Sequence, residues 1–375
     1  FFETLSGFST TGATILEDIE SVSKGILLWR SMSQWIGGMG IIVLTVAILP
    51  ILGIGGMQLF VAEAPGISPD KFQPRIKETA KRLWIIYIGF TGLEIIFLMV
   101  GDMPFFDALN HSLTTMASGG FSTKNSSIAY YDSAYIDFII VTFMFLAGTN
   151  FTMIYFGLHG KIKKVFQNQE FRTYGIFCLV ITIFCTLGIW INGNENLIDS
   201  FRYSIFQVVS VITTTGFITQ DYTAWTPLLT MLFFFLMFVG ASAGSTAGGI
   251  KIIRHLTLVK NSFLEFNRQI HPSAVLPLRL NGKSVNGEIT LQILAFVMLY
   301  LTIFALGSLG MALLGVDLVT AMGAAATCLG NVGPGIGSVG PVANFAHMPT
   351  DGKWILSLLM LLGRLELFTV LILFT

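Results

Sequence analysis

Charge is scarce in this sequence. Asp, Glu, Lys and Arg make up 11% of its 375 residues, against roughly 25% in soluble domains, which excludes an ordinary water-soluble globule. The 21 basic and 21 acidic residues cancel, and zero net charge leaves no basic footprint for a nucleic-acid partner. Cysteine is nearly missing too. Cys178, Cys185 and Cys328 stand in apolar surroundings with no metal spacing and no disulfide framework, so they read as packing residues. The apolar segments hold no His, Asp, Glu or Cys cluster, which argues against an intramembrane enzyme.

What is present instead is apolar: 53% of the residues are hydrophobic, and 33 of them are Phe. A soluble core cannot hide that much apolar surface, so the chain reads as an all-α polytopic membrane protein. A spanning helix needs about 20 apolar residues. Candidates are 26–50, 83–101, 135–158, 174–192, 225–248, 289–314 and 354–375. Between them lie apolar segments too short to cross, 104–117, 199–213 and 317–329, with 1–9 as a counterpart. By length these are re-entrant half-helices.

Each half-helix runs into a small, hydroxyl-rich stretch that closes on glycine: Ser9-Thr10-Thr11-Gly12-Ala13, Ala117-Ser118-Gly119-Gly120-Phe121, Thr213-Thr214-Thr215-Gly216-Phe217 and Gly330-Asn331-Val332-Gly333-Pro334. Aligned on Gly12, Gly120, Gly216 and Gly333, the residue six before is Ser6, Thr114, Ser210 or Thr327, a hydroxyl every time. The expected architecture is therefore four pseudo-repeated helix–pore-helix–helix units around a central ion pore. Repeat 1 covers 1–50, repeat 2 covers 83–158, repeat 3 covers 174–249 and repeat 4 covers 289–375, joined by linkers 51–82, 159–173 and 250–288. The first outer helix is expected to be missing, since the chain opens on Phe1-Phe2-Glu3-Thr4-Leu5-Ser6, already inside repeat 1 and without a signal peptide.

Unpaired backbone in a bilayer is tolerated only around a protein-lined or water-filled path. Rings of backbone carbonyls strip water from a monovalent cation, and glycine permits the backbone angles that aim successive carbonyls one way. The candidate ion-binding set is thus Thr10, Thr11, Gly12, Ser118, Gly119, Gly120, Thr214, Thr215, Gly216, Asn331, Val332 and Gly333. The plainer alternative is that small residues merely let helices pack closely. Nine positions before each glycine stand Glu3, His111, Gln207 and Ala324; the three polar groups read either as a network buttressing the strands or as buried polar residues each satisfied on its own. The linkers carry most of the basic residues, among them Lys71, Arg75, Lys161, Lys164, Lys251, Arg254, Arg268 and Lys283. The positive-inside rule puts these linkers in the cytoplasm and the strand mouths outside.

The strands, together with Gly240-Ala241-Ser242-Ala243-Gly244-Ser245-Thr246-Ala247-Gly248-Gly249-Ile250-Lys251 and Gly363-Arg364-Leu365-Glu366, resemble the Trk/Ktr/HKT superfamily of potassium transporters, most closely its bacterial Trk-type membrane subunits. The resemblance covers the whole chain. It implies potassium uptake across a bacterial inner membrane, with K+ as the transported ion at the strands and no organic cofactor. It also implies a homodimer and a cytoplasmic nucleotide-binding regulatory subunit. Two departures stand out. The family's helix before the first filter is absent, and the fourth strand, Gly330-Asn331-Val332-Gly333-Pro334-Gly335, keeps the symmetry only approximately.

Residues 240–249 contain only Gly, Ala, Ser and Thr. Four glycines in ten positions, each costing roughly 1 kcal/mol in a helix interior, disfavour continuous helix where a span should cross the inner half of the membrane. Gly240, Gly244 and Gly248 also fit the close-packing spacing of four, so composition leaves both readings open. The resemblance implies a gating loop of Gly240, Ala241, Ser242, Gly244, Ser245, Gly248 and Gly249. Arg364, about 11 residues into the last span, is expected to bond carbonyls of the broken helix and to add positive charge below the filter. A rival function from another class is a Na+- or H+-coupled secondary carrier. That reading expects inverted repeats and midplane carboxylates, whereas these repeats all run the same way.

Overall fold

A computed structural model of the chain describes residues 1–47, 76–193, 196–271, 274, 276–365 and 367–368. Most of the first linker, with Lys71 and Arg75, lies outside the described residues, as do Glu366 and the last seven positions of the final span. The helices are α1 (Phe2–Phe8), α2 (Lys24–Ala47), α3 (Ile76–Val100), α4 (Phe105–Met116), α5 (Ala134–Ala147), α6 (Phe151–Leu158), α7 (Ile162–Gln167), α8 (Gln169–Asn192), α9 (Leu197–Ile212) and α10 (Pro227–Leu236). After two short strands, β1 (Val239–Gly240) and β2 (Ile250–Lys251), come α11 (Ile252–Ile270), a hairpin of β3 (Arg279–Leu280) and β4 (Lys283–Ser284), α12 (Gly287–Leu313), α13 (Leu318–Gly330) and α14 (Thr350–Arg364). Side-chain caps set many of the starts. Asn150, Asn168, Asn196 and Asn286 each accept a bond from an amide in the first turn of α6, α8, α9 and α12, and Thr226 does so for α10 with Pro227 at its first position. Such caps contribute about 1 kcal/mol apiece.

Three described helices are long and apolar enough to span a bilayer: Lys81–Val100 within α3, then α8 and α12. Their outward faces are apolar, as with Leu179, Ile183 and Leu187 on α8 and Leu294, Met298 and Leu301 on α12, a surface suited to lipid tails. Each also buries one tyrosine, Tyr87, Tyr174 or Tyr300. Tyr87 donates to Trp35 O at 3.0 Å and Tyr174 to Phe145 O at 3.3 Å, pinning an outer helix to an inner one. The half-helices pack on longer ones, α1 on α2 and α14, α4 on α2 and α3, α9 on α8, and α13 on α12 and α14, and their buried residues join the apolar clusters.

The structure departs from expectation at one span and adds detail at two further segments. The span foreseen at 135–158 is broken: α5 and α6 meet at 108°. The cause is a distant segment: Ser242 N donates to Gly148 O and Thr246 N to Ala147 O, so amides from elsewhere take carbonyls that a continuing helix would use. The span foreseen at 225–248 stops at Leu236, and ten residues reach only about 15 Å. The linker foreseen at 250–288 folds into α11 and a hairpin.

Close helix approach rests on small residues. A β-carbon built on Gly37 of α2 would strike the Phe8 carbonyl, with Phe8 C at 2.8 Å and Cα at 3.0 Å, whereas one on Gly40 meets nothing within 4 Å. Gly37→Ala is therefore expected to destabilise by about 1–3 kcal/mol through overpacking. Gly40→Ala should be neutral or stabilising by up to roughly 1 kcal/mol. Thermal unfolding of the two purified variants in detergent checks this, and equal midpoints would contradict the packing.

Candidate functional site

The four half-helices end alike. At α1, Thr10 N bonds Gly7 O and Thr11 N bonds Ser6 O; the same pair recurs at Ser118 and Gly119, at Thr214 and Thr215, and at Asn331 and Val332. This 6→1 and 5→2 pattern closes a helix around one left-handed residue, normally glycine. Here the position is held by Thr10, Ser118, Thr214 and Asn331, with φ between 54° and 55°. Left-handed backbone costs an L-residue roughly 1–2 kcal/mol, so the surroundings hold four strained residues in equivalent places. Two positions on, Gly12, Gly120, Gly216 and Gly333 have φ of 81°, 75°, 79° and 104°. Each strand therefore places two residues of positive φ two positions apart.

The strands meet as a closed ring. A β-carbon on Gly12 would collide with Gly119 O, one on Gly120 with Thr215 O, one on Gly216 with Val332 O, and one on Gly333 would lie 2.8 Å from Thr11 O. Each glycine thus packs on the carbonyl of the next strand, and the fourth returns to the first. Asn331 Nδ2 donates to Thr11 Oγ1 at 3.0 Å, and Phe345 N to Thr14 O at 2.8 Å, both across that last junction. All twelve predicted strand residues lie on these four strands, and backbone carbonyls make the junctions between them.

The hydroxyl six positions before each glycine has a definite task. Thr114 Oγ1 donates to Phe121 O at 2.9 Å, Ser210 Oγ to Phe217 O at 2.7 Å and Thr327 Oγ1 to Pro334 O at 3.0 Å. It ties a strand to its own helix rather than to a neighbour. Ser6 is the exception, its Oγ buried without a partner. The polar groups three residues earlier also reach the strands. Glu3 accepts from Thr14 Oγ1 at 2.9 Å and Ile15 N at 3.0 Å, His111 Nε2 meets Ser122 Oγ at 2.9 Å, and Gln207 donates to Gln220 O at 3.0 Å. Ala324 has nothing to offer.

Below the ring, residues 240–249 form a loop closed by the parallel pairing of β1 with β2. Gly244 and Gly249 take φ of 70° and 64°, and the Gly240 α-carbon lies against the Gly248 carbonyl. Ala241 O accepts from Ile252 N, Ser245 Oγ donates to Ser242 O, and Lys251 Nζ bonds Ala247 O. The loop touches three strands. Thr246 Oγ1 pairs with Ser118 Oγ at 2.8 Å, Gly248 N donates to Thr214 Oγ1 at 2.6 Å, and Gly248 packs near Gly330 O and Asn331. Arg364, 6% exposed, donates to Thr246 O at 2.7 Å and reaches Gly37 O at 3.5 Å. It thus bonds one loop carbonyl and one carbonyl of α2.

Several site residues escaped sequence reasoning. Thr246, at the hub of the loop contacts, looked like any other member of a small-residue run. Arg30 and Gln34 on α2 are buried at 5% and 0% exposure. Arg30 binds Glu3 at 2.7 Å and stacks on Phe121 at 4.1 Å, while Gln34 donates to Gly119 O. Their spacing of four, one polar stripe on an otherwise apolar span, was the available signal.

Comparison with known proteins converges on one group. The family model described as a cation transport protein matches residues 1–191 and 175–375. The Trk system potassium uptake protein TrkH of Salmonella typhimurium is 43% identical over 378 residues, covering 100% of this chain and 78% of that one. Trk system potassium uptake protein TrkG of Escherichia coli is 37% identical over 377 residues, covering 100% and 77%. The crystal structure of the potassium transporter TrkH from Vibrio parahaemolyticus superposes with a TM-score of 0.89 at 37% identity, covering 100% of this chain and 77% of that one. These are ion transport proteins rather than enzymes, and with full-length matches on this scale the chain belongs to the TrkH family of cation transport proteins.

Proposed function

We propose that this chain takes up potassium across a bacterial inner membrane through a channel-like pore. The strands around Gly12, Gly120, Gly216 and Gly333 act as selectivity filter and the loop 240–249 as gate. The observation that carries this reading is the ring in which each of these glycines packs on the carbonyl of the next strand. A K+ ion entering from outside exchanges its water shell for the carbonyls around that ring. The half-helices α1, α4, α9 and α13 end at the strands, and helix C-termini carry about half a negative charge each, which favours a cation at their meeting point. Below, the bonds of Thr246 and Gly248 to Ser118 and Thr214 hold the loop across the exit, and Arg364 holds the loop.

Filter glycines come first. Gly12→Ser and Gly216→Ser, which drive a side chain into a neighbouring carbonyl, are expected to lower the preference for K+ over Na+ about tenfold, equivalent to roughly 1.4 kcal/mol. Competition by Na+ for ⁸⁶Rb+ uptake into proteoliposomes measures it, and unchanged preference in both variants would remove the filter assignment. The same assay tests the rival carrier, since uptake that requires a Na+ or proton gradient would favour it.

Releasing the loop should raise flux. Arg364→Ala, or a loop shortened within 242–247, is expected to increase ⁸⁶Rb+ uptake several-fold with selectivity retained. A folded variant with wild-type flux would sink the gate.

Control must come from outside the loop. α11 follows β2 with no intervening residue, so a force on α11 is transmitted to the loop within about one turn. A homodimer with a cytoplasmic nucleotide-binding regulatory subunit docked on 250–288 completes the proposal, the ligand acting through unequal affinity for open and closed states. Single cysteines placed at exposed positions within 255–285 should cross-link that subunit in native membranes. Capture only from the strand mouths would reverse the topology.

A further inference from the structure

The four strands are not equal at the position just before the ring glycine. Three of them carry a side chain there, Thr11, Thr215 and Val332, and the second carries Gly119. Two glycines in succession, Gly119 and Gly120, make the second strand the most deformable of the four, because glycine has the largest conformational freedom to lose. Yet its carbonyl is the one that Gly12 packs on, so the junction between the first and second strands depends on it.

Gln34, from α2, fills the vacancy. A β-carbon built on Gly119 would land on the Gln34 carboxamide, 2.5 Å from Oε1 and 2.8 Å from Nε2. The carboxamide is fully buried and makes two bonds to the strand. Nε2 donates to Gly119 O at 2.6 Å, and Oε1 accepts from Phe121 N at 3.1 Å. The pair brackets Gly120 and fixes which end of the amide is nitrogen, since the reverse orientation would set oxygen against oxygen. One turn earlier Arg30 lies over the Phe121 ring and reaches Ser122 O at 3.4 Å, so α2 grips the strand from Gly119 to Ser122. A carbonyl oxygen has two lone pairs, so Gly119 O keeps one for an ion while the other is held by Gln34.

We propose that Gln34 is a positioning residue for ion selectivity, its carboxamide standing in for the side chain that Gly119 lacks and holding the Gly119 carbonyl in the ring. This rests on the filter reading above. The inner helix that precedes the second strand by one unit thereby supplies part of that strand's own geometry, and the ring is asymmetric: one of its four carbonyls is polarised by a side-chain donor.

Two kinds of variant test it, in full-length protein reconstituted into liposomes and assayed by ⁸⁶Rb+ uptake with Na+ competition. Gln34→Met keeps length and bulk but removes both bonds. It is expected to lower K+ preference over Na+ about tenfold and raise the KM for Rb+ more than it lowers the maximal rate. Gly119→Thr alone should be severely impaired, because the new side chain meets Gln34. Combined with Gln34→Ala, which clears the space, the same Thr, the residue type found at positions 11 and 215, should restore selectivity beyond either single variant. Reciprocal rescue of this sort reports direct coupling rather than general damage, and recovery of folded protein in the double variant reads the same coupling should a single one misfold. Wild-type selectivity in Gln34→Met while Gly12→Ser loses it would overturn the role of Gln34 and leave the filter standing. Wild-type selectivity in both would overturn the filter reading itself. A double variant no better than its parents also counts against the proposal.

Discussion

A helix that stops partway through a bilayer leaves its last carbonyls without partners, and hydrocarbon offers no water to satisfy them. In this chain the stop occurs four times at one level, after α1, α4, α9 and α13, and each is resolved by one left-handed residue that folds two amides back onto the helix. The strands, the glycines that follow and the hydroxyls that tether them all depend on that turn. If the turn were lost, the strand would have no fixed direction and its carbonyls no common side.

The same need for partners explains the inner helices. α5 gives up its last carbonyls to Ser242 N and Thr246 N, and α6 starts afresh from the Asn150 cap, whose Nδ2 also donates to Ala243 O at 2.7 Å. Glu170, at the start of α8, accepts from Ala243 N at 2.6 Å. The loop is thus not a slack plug. It satisfies the broken ends of its neighbours, and its neighbours satisfy it, so that moving it requires several buried bonds to be exchanged together.

Much of this was legible in the sequence because the relevant signals are local. Half-helices show as apolar runs too short to cross, and Gly12, Gly120, Gly216 and Gly333 share a register with Ser6, Thr114, Ser210 and Thr327 that no packing motif demands four times. The break between α5 and α6 was not legible, because Gly148-Thr149-Asn150 within an apolar run is a mild interruption until loop amides compete for the carbonyls before it. Gln34 and Thr246 were missed for a related reason. Their partners lie 85, 87 and 128 residues away, and a contact at that range leaves no trace in a window of neighbouring residues. Gly119, a glycine where its counterparts carry side chains, was a further hint beside the polar spacing of Arg30 and Gln34.

The junction of the fourth strand with the first spans 320 residues between Asn331 and Thr11. A ribosome adding about 5–20 residues per second needs roughly 15–60 s to cover that distance. Until the fourth strand is made, the first lacks the Asn331 amide that bonds Thr11 Oγ1. The fourth junction is therefore the last of the ring to become possible during synthesis. A chain ending before the last quarter would carry three of the four strands and an unclosed ring.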